Sequence, residues 1–150
     1  MLRNFDNRLN ADVIQCIRAM GHGDDLVISD TNFPADSVAR HTVTGKLLRM
    51  DNLTAGEAID AILSVMPLDS FVDMPALRME IVGSASEIPP VQAEVQSVID
   101  KWEGKSLPMG SIERFQFYEM ARKSYAVIVT GEMRFYGCFI LKKGVIPPKS

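Results

Sequence analysis

At 150 residues and 16.6 kDa, the chain is long enough to bury roughly 70% of its unfolded surface as one domain without disulfides or structural metals. Hydrophobic residues make up 47% and charged residues 23%, a globular composition that excludes disorder, collagen and coiled coil as the main state. A net charge of -3 and a pI near 5.4 argue against a phosphate-backbone binder, and no apolar run approaches the roughly 20 residues of a membrane span.

Asn10 is a natural N-cap, and Val13, Ile14, Ile17 and Met20 follow at helical spacing, which predicts a helix over about 10–20 with Gly21 as its C′ stop. Leu26-Val27-Ile28 reads as a short strand ending near Asp30, followed by a loop at Asn32-Phe33-Pro34. His41 to Gly45 reads as a loop and Lys46–Met50 as a strand. Thr54 and Glu57 have capping-box spacing. The apolar face Ala58, Ile59, Ile62, Leu63 and Met66 runs on to Pro67. Leu77–Val82 predicts a strand, Pro89-Pro90 opens a helix reaching about Trp102, and Gly104–Gly110 is a loop. Ser111 is placed to cap a helix from Ile112 to about Lys123. The β-branched run Tyr125–Thr130 and the run Tyr136–Leu141 read as strands. The short Gly131–Phe135 connection predicts an antiparallel hairpin or a tight turn between them. Helices alternating with short strands imply an α/β, single-domain layered fold over 1–150, with a central sheet covered by helices.

Charge is uneven along the chain. Residues 1–100 hold 7 Lys/Arg against 15 Asp/Glu (-8), and residues 101–150 hold 9 against 4 (+5). An acidic face on one subunit meeting a basic face on another is one reading, and two solvated surfaces is the other. Cys16 and Cys138 do not make a disulfide framework, and Met1–Asn10 has no apolar signal core, so a reducing, cytoplasmic setting is expected. The common zinc, dinucleotide and nucleotide motifs do not occur.

Three clusters carry chemistry-bearing residues. His22 lies between Gly21 and Gly23, just past the negative end of the first helix. That position favours an imidazolium, as do Asp24 and Asp25 if they approach. A helix-terminal histidine serving local carbonyls is the plainer alternative. Asp30 stands at a strand's C-terminal end, where α/β proteins tend to bind ligands, or else caps a turn. Arg114 and Tyr118 share a helix face, open to hydroxyls or a carboxylate, unless Arg114 pairs with Glu113 or Glu119. In Tyr136-Gly137-Cys138, a tyrosine beside a glycine can offer both a phenol and a backbone N–H, while Cys138 reads as a small buried apolar residue.

The stretches MGHGDDLVISDTNFP (20–34), LDSF (68–71), ERFQFYEMARKSYAVIVTGE (113–132) and YGCFILKKGV (136–145), in this order and spacing, resemble the fucose mutarotase and ribose pyranase family. The resemblance is closer to fucose mutarotase. It implies interconversion of the α and β anomers of a reducing monosaccharide, with L-fucose favoured, and with no metal or organic cofactor. It makes His22 the catalytic acid/base and Asp30, Arg114, Tyr136, Gly137 and Cys138 substrate-binding residues. It also implies homo-oligomers with sites near subunit boundaries, in bacterial forms decamers of two pentameric rings. The chain departs at Cys138, where the family commonly has Asn, and a thiol is a weak donor beside an amide. That departure motivates a second reading, a sugar-binding module without turnover. D-ribose as substrate is the neighbouring choice. A metal-dependent isomerase or aldolase using His22, Asp24 and Asp30 is a third.

Overall fold

Side-chain alternation along the strands divides the interior into two cores, one on each face of a six-stranded sheet. Leu26, Ile28, Ala126, Ile128, Phe139 and Leu141 point into the larger core, and Val27, Val127, Val129, Cys138 and Ile140 into the smaller. The computed structural model describes residues 1–150. Its elements in chain order are α1 (Ala11–Ala19), β1 (Asp25–Ser29), α2 (Ala35–Ala39), β2 (Leu48–Met50), α3 (Ala55–Leu63), β3 (Ala76–Met79), α4 (Pro90–Glu103), β4 (Gly110–Ile112), α5 (Arg114–Arg122), β5 (Ala126–Thr130) and β6 (Phe139–Lys142). The expected α/β layering is therefore present. Residues of α1, α3 and α4 line the larger core, and residues of α2 and α5 line the smaller. None of the helices is long and apolar enough to cross a membrane.

The sheet order is β2-β5-β1-β6-β3-β4. Every pairing is parallel except those of β6, which runs antiparallel to both β1 and β3. The expected β5–β6 hairpin does not form, because β1 lies between the two strands. Thr31 donates its N–H to the Glu132 carbonyl (2.9 Å), and Gly137 donates to Asp30 Oδ2 (3.1 Å). These bonds route the 131–138 connection over the end of β1 instead of folding it back on β5.

Local signals fared unevenly. Asn10 accepts the Val13 N–H, and Thr54 with Glu57 closes a complete capping box. α1 ends without a left-handed glycine. Met20 donates to the Cys16 carbonyl, and the Lys143 ammonium, reaching in from beyond β6, donates to the carbonyls of Ile17 (2.7 Å) and Met20 (2.6 Å). A lysine far along the chain thus does what Gly21 was expected to do. Ser111 does not cap α5: it lies in edge strand β4, and Glu113 accepts the N–H groups of Phe115 and Gln116. Helix α2 has no capping side chain and spans five residues, too few for a periodic signal.

Candidate active site

The parallel strands β1, β3 and β5 end at the same edge of the sheet, and antiparallel β6 begins there. At this edge a cavity of about 310 Å³ opens on the smaller-core face, within the range of small-molecule sites. Its lining brings together Asp30, Arg114, Tyr136 and Cys138 from three separate parts of the chain, with Met79 and Tyr118 between them. Gly137 lies buried directly behind, its N–H given to Asp30.

Asp30 is nearly fully buried, and both of its oxygens serve the backbone. Oδ1 accepts from Asn32 and Phe33 (3.0 Å each) and Oδ2 from Gly137 (3.1 Å). A carboxylate has about four lone-pair sites, so one remains for a ligand hydroxyl. Asp30 is both a turn-capping residue and a wall of the cavity, and the two readings offered by the sequence are not exclusive. Arg114 forms no ion pair with Glu113 or Glu119. Its Nε donates to the Tyr118 hydroxyl (3.0 Å), and its guanidinium lies against the rings of Phe115 (5.3 Å) and Tyr118 (5.4 Å). The remaining four N–H donors are free to meet a polar ligand.

Tyr136 has φ 62, a left-handed conformation uncommon for a residue with a Cβ. Its hydroxyl oxygen accepts the Val82 N–H (3.3 Å), which leaves its own hydrogen available to donate. Cys138 is buried, and burial together with the neighbouring Asp30 charge pushes its thiol well above the usual range. A neutral thiol is not a nucleophile at neutral pH, so Cys138 acts here as a small wall residue.

His22 is not in this cavity. It precedes β1, whereas Asp30 follows it, and the five-residue strand between them spans roughly 13 Å. Nor do Asp24 and Asp25 face it. Asp24 Oδ2 accepts the Gly21 N–H (2.7 Å), and Asp25 pairs with Lys142 (2.9 Å). The partner of His22 is Asp69, with Nε2 2.9 Å from Oδ1. Asp69 is buried, and the Phe71 backbone N–H followed by His22 holds its carboxyl below the ordinary range. An ionised carboxylate only accepts, so Nε2 carries the proton, and Nδ1 has no partner within the chain. The Phe71 ring lies 5.3 Å from the imidazole and is itself exposed. Sequence reasoning gave Asp69 no role, although it stands inside the LDSF stretch. His22, Asp24 and Asp30 form no common metal cluster.

The sequence profile of the RbsD / FucU transport protein family matches residues 3–146. The chain belongs to this family. It is 39% identical to the fucose mutarotase of Homo sapiens, over 97% of this chain and 94% of that protein. Among solved structures, protein Atu2016 is 61% identical with a TM-score of 0.96, covering 98% of this chain and 97% of that one. The fucose mutarotase of Streptococcus pneumoniae in complex with L-fucose is 35% identical with a TM-score of 0.87, covering 97% of this chain and all of that one.

Proposed function

We propose that this protein is a mutarotase that interconverts the α and β anomers of L-fucose. The observation that carries the reading is the cavity at the strand ends. It sets one carboxylate lone pair, an unpaired guanidinium and a tyrosine hydroxyl around an apolar floor of Met79, Phe33 and Cys138. That mixture suits a sugar with several hydroxyls and one methyl-bearing face. The relatives named for fucose, similar along their whole length, make L-fucose the first substrate to test.

Mutarotation requires a base to take the proton from the anomeric hydroxyl while the C1–ring-oxygen bond breaks and the ring oxygen gains a proton. The open-chain aldehyde turns about C1–C2 and closes in the reverse sense. His22 supplies Nδ1 as the acid/base, with Asp69 fixing the ring and its tautomer. Tyr136 supplies a hydroxyl hydrogen toward the second oxygen. Arg114 and Asp30 hold other hydroxyls.

In one chain His22 faces away from this cavity, so we place the reacting sugar between two copies, with His22 of one approaching the cavity of the next. Exposed aromatic residues at the two ends of the strands, Phe71 near His22 and Phe115 and Phe135 near the cavity, support such a head-to-tail contact. A decamer of two pentameric rings is the assembly the resemblance implies.

Magnetisation-transfer NMR on L-fucose tests the activity: accelerated exchange is expected, with D-ribose as the comparison sugar. Complementation tests the shared site. His22→Gln and Arg114→Ala copies, each inactive alone, should regain roughly a quarter of wild-type activity after mixing and reassembly, because that share of interfaces pairs an intact histidine with an intact cavity. Mixed rings that stay inactive would place both residues of a working site in one copy and overturn the arrangement. Sugar binding without faster exchange would favour the binding-module reading that Cys138 motivates.

A further inference from the structure

Behind the cavity lies a polar group that the mechanism does not use. Gln92, at the third position of α4, is fully buried. Its Nε2 donates to two carbonyls, Met79 (2.7 Å) and Tyr136 (3.0 Å), and its Oε1 accepts from Arg78 Nη1 (3.0 Å). Arg78 is itself buried and has no carboxylate partner; its other bond runs from Nη2 to the Ala85 carbonyl (2.9 Å). A guanidinium only donates, so the atom it faces must be the amide oxygen, and the two amide hydrogens must then face the two carbonyls. The orientation of Gln92 is thereby fixed by Arg78.

Both carbonyls belong to residues that line the cavity, on two different segments. Tyr136 stands at φ 62, where a tyrosine stays only if its surroundings hold it. Three bonds do so: Gly137 N–H to Asp30, Val82 N–H to the tyrosine hydroxyl, and Gln92 to the tyrosine carbonyl. Only the last comes from a helix, in the first turn of α4. An amide that served folding alone would need only to satisfy its own helix and loop, whereas this one ties α4 to both walls of the cavity.

We propose that Gln92, oriented by Arg78, is a positioning residue that sets the conformation of Tyr136 and its distance from Met79, and through them the fit of the sugar. This rests on the sugar-site reading for its kinetic consequence but not for its structural one.

Two substitutions test it. Gln92→Met keeps the volume and removes all three bonds. Gln92→Glu keeps the acceptor toward Arg78 and, as a carboxylate, replaces both donors by an oxygen that faces the two carbonyls. Each should lower kcat/KM for L-fucose anomer exchange by about tenfold, the scale of one buried hydrogen bond lost from a working geometry. In a Tyr136→Ala background neither should add a further loss. A structural role alone would multiply the loss equally in both backgrounds and would refute the proposal. With ring-labelled tyrosine, each variant should displace the Tyr136 signal, identified by Tyr136→Phe, and leave that of Tyr125 in place. An unmoved Tyr136 signal in folded Gln92→Glu overturns the positioning role whether or not the protein turns over fucose. Wild-type protein that does not speed exchange would refute the mutarotase reading, and the spectra would still decide this one.

Discussion

A methyl group added at Gly144 should disable the site from outside it. A Cβ there would stand 2.4 Å from the Leu68 carbonyl oxygen and 2.9 Å from Asp69 Cα. Ordinary contact begins at 3.4 Å, so the two segments must separate by 1.0 Å. Neither can yield without moving the His22–Asp69 pair. The 142–144 segment is tied to the His22 loop by Gly23 N–H to the Lys143 carbonyl (2.8 Å) and Lys143 N–H to the Asp24 carbonyl (2.9 Å). It is tied to the Asp69 loop by Gly144 N–H to the Pro67 carbonyl (2.8 Å) and Asp69 N–H to the Lys142 carbonyl (3.0 Å). If the first loop moves, the imidazole leaves the carboxylate; if the second moves, the carboxylate leaves the imidazole. An increase of 1.0 Å takes a 2.9 Å contact beyond hydrogen-bond range. Misplacement of a reacting group by about 1 Å costs on the order of 10²-fold in rate. Gly144→Ala should therefore lose about two orders of magnitude in fucose anomer exchange, with the His22 Nε2 proton resonance lost or shifted in the NMR spectrum. A folded Gly144→Ala protein with unchanged exchange would refute the coupling of this backbone contact to the histidine.

Three further outcomes follow from other parts of the chain. Asp60 accepts from Arg8, Trp102 and Lys101, and these bonds, Arg8 foremost, hold its carboxyl at about 2 against an ordinary 3.8. The depressed value means stabilisation present above about pH 4 and lost as pH falls toward 2; with partly exposed partners it amounts to about 1 kcal/mol. Asp60→Asn should lower the denaturation midpoint more at pH 7 than at pH 2, where the carboxyl is about half protonated in the folded chain; an equal loss at both would exclude the charge as its cause. Cys138→Asn sets an amide on the cavity wall, one register step from Ser29, whose hydroxyl is the one buried side-chain polar atom without a partner. It should raise the thermal midpoint and lower the KM for fucose several-fold, and a titration with no change in KM would show that position 138 does not read the sugar. Phe71 is exposed in the single chain, so Phe71→Asp should leave the subunit folded but shift sedimentation toward monomer and make activity per chain fall on dilution; full activity in a dilute monomer would exclude a shared site.

The helices with strong local signals were readable because each rests on side chains a few residues apart: Asn10 on Val13, Thr54 on Glu57, the paired prolines before α4. Strand existence was equally legible, since β1 has the aliphatic centre Leu26-Val27-Ile28 and β5 is β-branched or aliphatic throughout. Strand partnership was not. Whether Tyr125–Thr130 pairs with Tyr136–Leu141 depends on what the 131–138 segment bonds to, and those partners, Thr31 and Asp30, lie a hundred residues away. Short β4 and α2 left no period to count.

The candidate site divides along the same line. Asp30, Arg114 and Tyr136 could be named from the chain, and the fold sets them around one cavity. Their supports could not be named, because each is a long-range bond. Asp69 reaches His22 across 47 positions, Gln92 reaches Tyr136 across 44, and Lys143 reaches α1 across more than 120. A motif records the group that does chemistry; the groups that aim it are dispersed, since any element packed nearby can supply them. The separation of His22 from the cavity carries this one step further. His22 has an orienting partner, a partly exposed side chain and an apolar neighbour, and it lines no part of the cavity. The cavity has binding groups on all sides and no histidine. Each half lacks what the other presents, and the two stand at opposite ends of β1, which is the ground for proposing that neighbouring copies share one site.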